Sequence, residues 1–127
     1  MPREHPLQNK ILLAVCRGKV RLFRNNVGVG WLGGPIEHKA GTVILHNARP
    51  LHAGLVKGSG DLIGWRTVEI TPDMVGNRVA VFTSVEVKGT GGKPRPEQLT
   101  WRDSVRAAGG IACIAYSVED ARKALNV

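Results

Sequence analysis

The stretch VEVKGT, Val85 to Thr90, places an acid and a base two residues apart in a β-branched run. Because alternate residues of a strand share one face, Glu86 and Lys88 are predicted to point the same way. Val85 and Val87 then point to the opposite face, which we expect to be the core. Two charges on one face of a half-buried strand are explained only by what else converges on that face.

The bulk composition predicts one ordinary globular domain over residues 1–127. The chain is 43% hydrophobic and 22% charged, and no apolar run is long enough to span a bilayer or to form a signal peptide. Its two cysteines, Cys16 and Cys113, lie in apolar settings without CxxC spacing. We expect buried free thiols in a reducing compartment, and therefore a cytoplasmic protein, with a disulfide between the two cysteines as the alternative.

The net charge of +8 and the pI near 10.2 favour a polyanionic partner, of which nucleic acid is the commonest. A solvated basic surface is the alternative that charge alone leaves open. Aromatic residues make up only 5% of the chain, which argues against a stacking platform for single strands.

The first half of the chain combines one helix with short strands. Helical spacing of apolar residues predicts a helix over residues 5–17, and alternation predicts a strand over 19–26. The Gly-rich segment 27–35 is predicted to be a loop, although it lacks the spacing of a P-loop. A short strand over 42–45 is followed by a predicted turn at 47–50.

Three histidines, His38, His46 and His52, lie close together in this half of the chain. A zinc site is one interpretation. Their spacing matches no structural zinc pattern and no cysteine is near, so ordinary loop histidines are favoured.

In the second half, strands alternate with helices. The predicted strands are 62–70, 78–88 and 111–116, and the predicted helices are a single turn over 71–77, a helix over 96–108 and a last helix over 118–125. A flexible cationic loop, 89–96, separates the second of these strands from its helix. The order of elements predicts an α/β sandwich with a mixed central sheet flanked by helices.

Pairing of the strands on either side of residues 71–77 as a hairpin would bring Asp61 close to Glu86. Two carboxylates repel each other unless a divalent cation lies between them. The main-chain carbonyl of Val87 is a further candidate ligand, and Lys88 would orient or deprotonate a water, or screen charge on a phosphate. The alternative is a plain surface ion pair between Glu86 and Lys88.

The ordered set GSGDLIG (58–64), VEVKG (85–89), PEQLTW (96–101) and AAGG (107–110) resembles the signature of the PD-(D/E)xK nuclease superfamily. Within it, the chain is similar to the stand-alone, phage or prophage type of VRR-Nuc (virus-type replication-repair nuclease) domain, over nearly its whole length. The resemblance implies a restriction-endonuclease-like α/β sandwich.

The resemblance also implies roles for individual residues. Asp61 and Glu86 would bind the divalent metal, and Lys88 would be the catalytic lysine. Gln98 stands where the family has a helix glutamine that reaches toward the active site. Glu4 matches an acid before the first helix that would bind a second metal or its water, and a first-turn acid favouring the helix dipole is the alternative for this position.

Two positions depart from the family pattern. Gly60 stands where the superfamily name has proline, and this position only has to shape a turn. Arg95 stands at the N-cap of the predicted helix, where Ser or Thr is usual, so we expect a weak cap and a phosphate contact in its place.

The resemblance implies a Mg²⁺- or Mn²⁺-dependent DNA endonuclease that resolves four-way (Holliday) junctions as a homodimer. A monomeric flap or single-strand nuclease and a non-catalytic basic DNA-binding protein are the alternatives. Trp31 and the strand TVIL (42–45) are candidate dimer elements, with plain core or lid as the alternative. The candidate phosphate contacts are basic residues spread along the chain: Lys19, Arg21, Arg24, Lys57, Lys93, Arg95, Arg102 and Arg106.

Overall fold

The computed structural model describes residues 4–127, without the side chain of Glu4. In this range the chain forms three helices and eight strands, and the α/β class is confirmed. The helices are α1 (Glu4–Val15), α2 (Pro96–Ala107) and α3 (Val118–Leu125). The strands are β1 (Val20–Arg24), β2 (Gly28–Leu32), β3 (Ile36–Lys39), β4 (Thr42–Leu45), β5 (Arg49–Ala53), β6 (Leu62–Arg66), β7 (Thr83–Val87) and β8 (Ile111–Ala115).

The chain divides into two compact units. Unit 1 comprises the residues up to Cys16 together with Leu22–Gly64, and unit 2 comprises Arg17–Arg21 together with Trp65–Val127. The single nuclease domain over residues 1–127 stays a prediction. Cys16 and Cys113 are both free thiols, as expected, and Cys113 is buried, whereas Cys16 is only half-buried.

The strands pair two by two, as β1–β6, β2–β5, β3–β4 and β7–β8. The β2–β5 and β3–β4 pairs are antiparallel and β7–β8 is parallel, so both kinds of pairing occur. The predicted hairpin between the strands on either side of residues 71–77 is wrong, because β6 pairs with β1 and β7 with β8. The connection through α2 brings β8 alongside β7, so β8 becomes the parallel partner of β7.

In unit 1, residues 28–53 form a long antiparallel ribbon, here called the β-arm. The β2–β5 and β3–β4 ladders are joined by a bond from Gly34 N to His46 O at 2.7 Å. The predicted loop over 27–35 is wrong, because Val29 and Trp31 alternate with glycines along β2 and the backbone pairs with β5. The predicted turn at 47–50 is shortened by β5, which begins at Arg49.

In unit 2, β7, α2 and β8 form a parallel strand–helix–strand crossover. Pro96 occupies the first turn of α2, where its missing N–H costs nothing. Gly110 follows the helix, and a Cβ on it would lie 2.7 Å from Val105 Cγ1 and 2.8 Å from Phe82 O. Only glycine allows this close approach, which seats the buried Val105 and Cys113 in the core of the unit.

The face of β7 that packs against α2 is the charged one. Val85 is 38% exposed and Val87 is 74% exposed, whereas Glu86 and Lys88 are half-buried. The prediction that the two valines point into the core is therefore wrong. The physical reason is that α2 supplies polar and aromatic partners to the residues of β7 on the Glu86 face.

An aromatic cluster lies on that same face. Trp65, Phe82 and Trp101 pack with ring centroids 4.9–6.2 Å apart at tilted or edge-on angles. The indole Nε1 of Trp101 donates to Ser84 Oγ at 2.9 Å. Ser84 is two residues before Glu86, so this contact fixes α2 along β7.

The central strands are shorter than predicted. β6 ends at Arg66 instead of residue 70, and β7 begins at Thr83 instead of residue 78. Each ladder is limited by a five-residue partner, β1 for β6 and β8 for β7. The single helical turn is confirmed as a 3₁₀ turn over Pro72–Met74, and α3 has the predicted bounds.

Candidate active site

Glu86, Lys88 and Gln98 form a polar cluster where β7 meets the first turn of α2. Glu86 Oε1 accepts a hydrogen bond from Gln98 Nε2 at 2.7 Å and lies 3.3 Å from Lys88 Nζ. The Lys88 side chain is 18% exposed and that of Glu86 is 40% exposed. The ion pair between Glu86 and Lys88, which the sequence left open as the alternative, is therefore present. The side-chain amide of Gln98 adds a hydrogen bond to the same carboxylate.

The amide of Gln98 is held at both ends. Its Oε1 accepts from the backbone N–H of Arg95 at 2.8 Å, while its Nε2 donates to Glu86. Reversing the amide would set two donors, and separately two acceptors, against each other, so one orientation satisfies both contacts. Both contacts of Glu86 with the described residues fall on Oε1, which leaves Oε2 for another ligand.

Arg95 is the N-cap of α2, and its side chain makes no capping hydrogen bond. The expectation that Arg95 caps the helix weakly is confirmed, since its side chain accepts no bond from the helix backbone. Gln98, three residues on, accepts from the Arg95 backbone N–H and so satisfies one of the donors at this helix end. The same glutamine therefore starts the helix and orients Glu86.

The cationic loop between β7 and α2 folds back on Lys88. Gly92 N donates to Gly89 O at 3.0 Å, and a Cβ on Gly92 would lie 3.5 Å from Lys88 Cβ. Tyr116, just after β8, donates its hydroxyl to Gly92 O at 2.9 Å. The loop carrying Lys93 is thus tied to the end of the parallel strand pair.

Asp61 follows the Gly58–Ser59–Gly60 turn in unit 1 and directly precedes β6. Its main-chain carbonyl accepts from Asn25 N at 2.8 Å. Its side chain is exposed and makes no hydrogen bond or ion pair with another described residue. Gly60 does not adopt a positive φ, and a Cβ there would meet Leu62 O at an ordinary 3.5 Å, so the position has room for a side chain.

Asp61 belongs to unit 1, whereas Glu86, Lys88 and Gln98 belong to unit 2. The juxtaposition of the two carboxylates therefore stays a prediction. Glu4 begins α1, and its side chain lies outside the described residues, so its metal-binding role also stays a prediction. Within residues 4–127, no three or more His, Cys, Asp or Glu side chains are grouped closely enough to bind a metal ion.

The three histidines of the β-arm lie in its strands or directly beside them. His38 lies in β3 and His52 in β5. His46 contacts Glu37, with Nε2 and Oε2 3.2 Å apart. Neither strand histidine lies in a loop, so the expectation of loop histidines is wrong for those two.

Four of the candidate phosphate-binding arginines are already engaged. Arg24 donates to Gln8 Oε1 at 2.5 Å and to Asn9 Oδ1, which ties β1 to α1. The others contact Glu97, Asp103 and a carbonyl of β8, in the pairs Arg95–Glu97 (3.4 Å), Arg102–Asp103 (2.9 Å) and Arg106–Ala112 O (2.9 Å). The remaining candidates are all exposed and form no ion pair with the described residues: Lys19, Arg21, Lys57 and Lys93.

Sequence reasoning missed two residues that support the site. Asn25 is buried, at 8% exposure, and bonds to the turn before Asp61. Tyr116 holds the cationic loop. The polar character of Asn25 in an otherwise alternating strand was a possible signal, whereas nothing local marks Tyr116.

The model of one protein family, the VRR-NUC domain, matches residues 43–119, more than half of the chain. The matched segment contains Asp61, Glu86, Lys88 and Gln98. No curated protein matches the chain, and no solved structure does. None of the helices in residues 4–127 combines the length and apolar character that crossing a membrane requires.

Proposed function

Since the chain belongs to the VRR-NUC domain family and is therefore a nuclease domain acting on DNA, we propose that it cuts DNA as a metal-dependent, structure-specific endonuclease. The observation that carries the proposal is the Glu86–Lys88–Gln98 cluster. A strand acid contacts both a strand lysine and a helix glutamine, the three residue types that the family resemblance implies for the site.

The proposed cofactor is Mg²⁺ or Mn²⁺, and the donor chemistry fits it. Hard divalent cations prefer carboxylate and carbonyl oxygens, and Mg²⁺ is usually held by one or two carboxylates together with phosphate and water. Glu86 keeps Oε2 clear of its protein contacts, and the Asp61 carboxylate is exposed. We assign Asp61, Glu86, the Val87 carbonyl and Glu4 as the residues that would hold metal.

When bound, the ion would supply Lewis-acid chemistry and an acidified water. The chain's own residues would do the rest. Gln98 fixes the rotamer of Glu86, so that this carboxylate is oriented before substrate arrives. Lys88, mostly covered and 3.3 Å from Glu86, would orient the attacking water or stabilise negative charge on the phosphate.

We further propose a homodimer that cuts four-way junctions. Support comes from the net charge of +8 and from the exposed Lys57 and Lys93. Two copies present two active sites to a branched substrate, which suits paired incisions. The candidate dimer residues are Trp31 and, in the strand TVIL, Val43 and Ile44, all of which are exposed.

One panel tests this function. Linear duplex, flap, fork and four-way junction are each incubated with Mg²⁺, Mn²⁺ or chelator, and the solution mass is measured in parallel. The proposal expects metal-dependent junction cutting by a dimer. If a monomer cuts flaps and leaves junctions intact, the protein is a monomeric flap nuclease instead. If no DNA is cut, it is a non-catalytic DNA-binding protein.

Lys88→Ala is expected to lower cleavage by at least about 100-fold, because charge stabilisation in the transition state is lost, while DNA affinity stays near wild type. Cleavage of a labelled junction and gel-shift titration measure the two quantities. The matched control is Lys123→Ala, which removes an exposed lysine of α3 and should leave cleavage unchanged. Wild-type cleavage by Lys88→Ala would exclude a catalytic lysine at this position.

A reducing, cytoplasmic location is also proposed, in a bacterial host if the chain is phage-encoded. The support is that Cys16 and Cys113 are both free. Cys16 Sγ accepts from the backbone N–H of Leu22, with the nitrogen and the sulfur 3.3 Å apart. Such thiols persist unpaired where the compartment keeps them reduced.

A further inference from the structure

Asn25, the residue after β1, bonds to four residues of the segment that leads into Asp61 and ends with it. Its Nδ2 donates to Ser59 Oγ at 2.7 Å and to Gly60 O at 2.8 Å, and its Oδ1 accepts from Leu55 N at 2.9 Å. Its backbone N–H donates to the carbonyl of Asp61 itself at 2.8 Å. One residue therefore binds both ends of the segment 55–61.

The burial of Asn25 makes these bonds costly to lose. An amide that is only 8% exposed loses its water, and an unpaired one costs about 1–3 kcal/mol. Both donors and the acceptor of this amide are used, so the side chain has a single satisfactory orientation. A change in the conformation of the turn would leave part of the amide unpaired. The cost of that loss keeps the turn in one conformation.

A second contact brings the two segments together. Gly54 has φ +77°, and a Cβ on it would lie 2.7 Å from Asn26 O and 2.8 Å from Val27 Cα. Only glycine fits at this close approach. The next residue, Leu55, donates its N–H to Asn25 Oδ1. The segment before Asp61 is thus pressed against residues 25–27 at its start and bonded to Asn25 at its end.

We propose that Asn25 is a positioning residue for Asp61, which orients the carboxylate toward a divalent cation by fixing the Ser59–Gly60–Asp61 backbone. The inference rests on the proposed function, in which Asp61 binds metal. Asn25 is too buried to be a ligand itself and acts through the turn. Residues that orient metal ligands from outside typically change metal affinity by about 10–100-fold when mutated.

The test measures Mn²⁺ binding by calorimetry, without DNA, on the full chain. Asn25→Ala should weaken Mn²⁺ binding roughly tenfold, and Ser59→Ala, which removes one of the four bonds, should weaken it by a smaller factor. Asn26→Ala is the matched control, because that neighbouring asparagine is exposed, and it should bind Mn²⁺ like wild type. Asp61→Asn shows how far Mn²⁺ affinity falls when the proposed ligand itself is lost.

Further measurements separate positioning from folding. The Mn²⁺ concentration for half-maximal cleavage should rise in parallel with the binding constant, whereas DNA affinity in chelator should not change. A merely structural role would lower the melting temperature and leave both Mn²⁺ values unaltered in the folded protein. Should Asn25→Ala fail to fold, Ser59→Ala decides the question by itself.

The outcomes distinguish the inference from the function beneath it. Wild-type Mn²⁺ affinity in folded Asn25→Ala and Ser59→Ala, with binding lost in Asp61→Asn, would overturn the positioning role alone. A wild-type chain that neither binds Mn²⁺ nor cuts DNA would overturn the proposed function and this inference together. Cleavage that is indifferent to Asp61→Asn would remove the ligand that Asn25 is proposed to position.

Discussion

At the scale of single residues, the side-chain amide of Gln98 makes two hydrogen bonds with different roles. It satisfies the Arg95 N–H at the start of α2 and donates to Glu86 Oε1. Hydrogen bonds to a charged group contribute about 1.5–3 kcal/mol, more than those between neutral groups. The glutamine therefore couples helix initiation to the orientation of the proposed metal ligand.

Gln98→Ala is expected to lower the free energy of unfolding by about 1–2 kcal/mol, because it removes a capping acceptor and a partner of Glu86. Cleavage should fall by at least about tenfold, the scale of a ligand-orienting contact. Urea denaturation and junction cleavage measure the two effects. Glu97→Ala is the control: its ion pair with Arg95 has both side chains 68% exposed, and such pairs contribute little.

Gln98→Glu separates the two jobs. The new carboxylate still accepts from the Arg95 N–H, as in an ordinary capping box, but it repels Glu86 where the amide had donated. We expect near-native helix capping with cleavage reduced as in Gln98→Ala. Cleavage at the wild-type rate would show that the contact with Glu86 is dispensable.

At the scale of elements, the sequence predicted what local chemistry determines. α3 was predicted with its bounds because Ser117 caps it and two acids follow, and the Pro72–Met74 turn was predicted from its Thr-Pro-Asp start. The strand β2 was missed because glycine is rare in strands, and its pairing with β5 is a tertiary fact. The buried face of β7 was inverted for the same reason, since only the docking of α2 makes the charged face the covered one.

The cap of α3 offers a test of the element by itself. Ser117 Oγ accepts from Asp120 N at 3.1 Å, and Asp120 Oδ2 accepts in turn from Tyr116 N at 2.9 Å. Ser117→Ala is expected to cost about 1 kcal/mol of unfolding free energy, since a helix donor loses its acceptor. Urea denaturation measures it, and Ser104→Ala, at an exposed position inside α2, should change stability by less than about 0.5 kcal/mol. Equal effects of the two substitutions would contradict a capping role.

At the scale of the whole molecule, the sequence could place the site residues on elements but not assemble them. The shared face of Glu86 and Lys88 follows from strand periodicity, and Gln98 was found through the family resemblance. The role of Asn25 depends on contacts 30–35 residues along the chain, which no local pattern encodes. The same holds for the cations, because their sequence positions do not tell which are already paired.

The net charge of +8 predicts salt-dependent DNA binding, and the structure ranks the cations that carry it. Each phosphate contact contributes about 0.9 to the slope of log affinity against log salt for duplex DNA. Lys93, exposed on the tethered loop, is expected to make a full contact, so Lys93→Ala should reduce the slope by about 1. Lys57→Ala should do the same.

Arg102→Ala should reduce the slope by less than Lys93→Ala. Asp103, 2.9 Å from its guanidinium, already neutralises Arg102, so fewer counterions are released when DNA binds. Fluorescence anisotropy on a four-way junction at several salt concentrations measures each slope, with Lys123→Ala as a charge-matched control outside the predicted set. A wild-type slope in both Lys93→Ala and Lys57→Ala, or a larger loss in Arg102→Ala than in either, would mean that pairing within the protein does not decide which cations meet the phosphates.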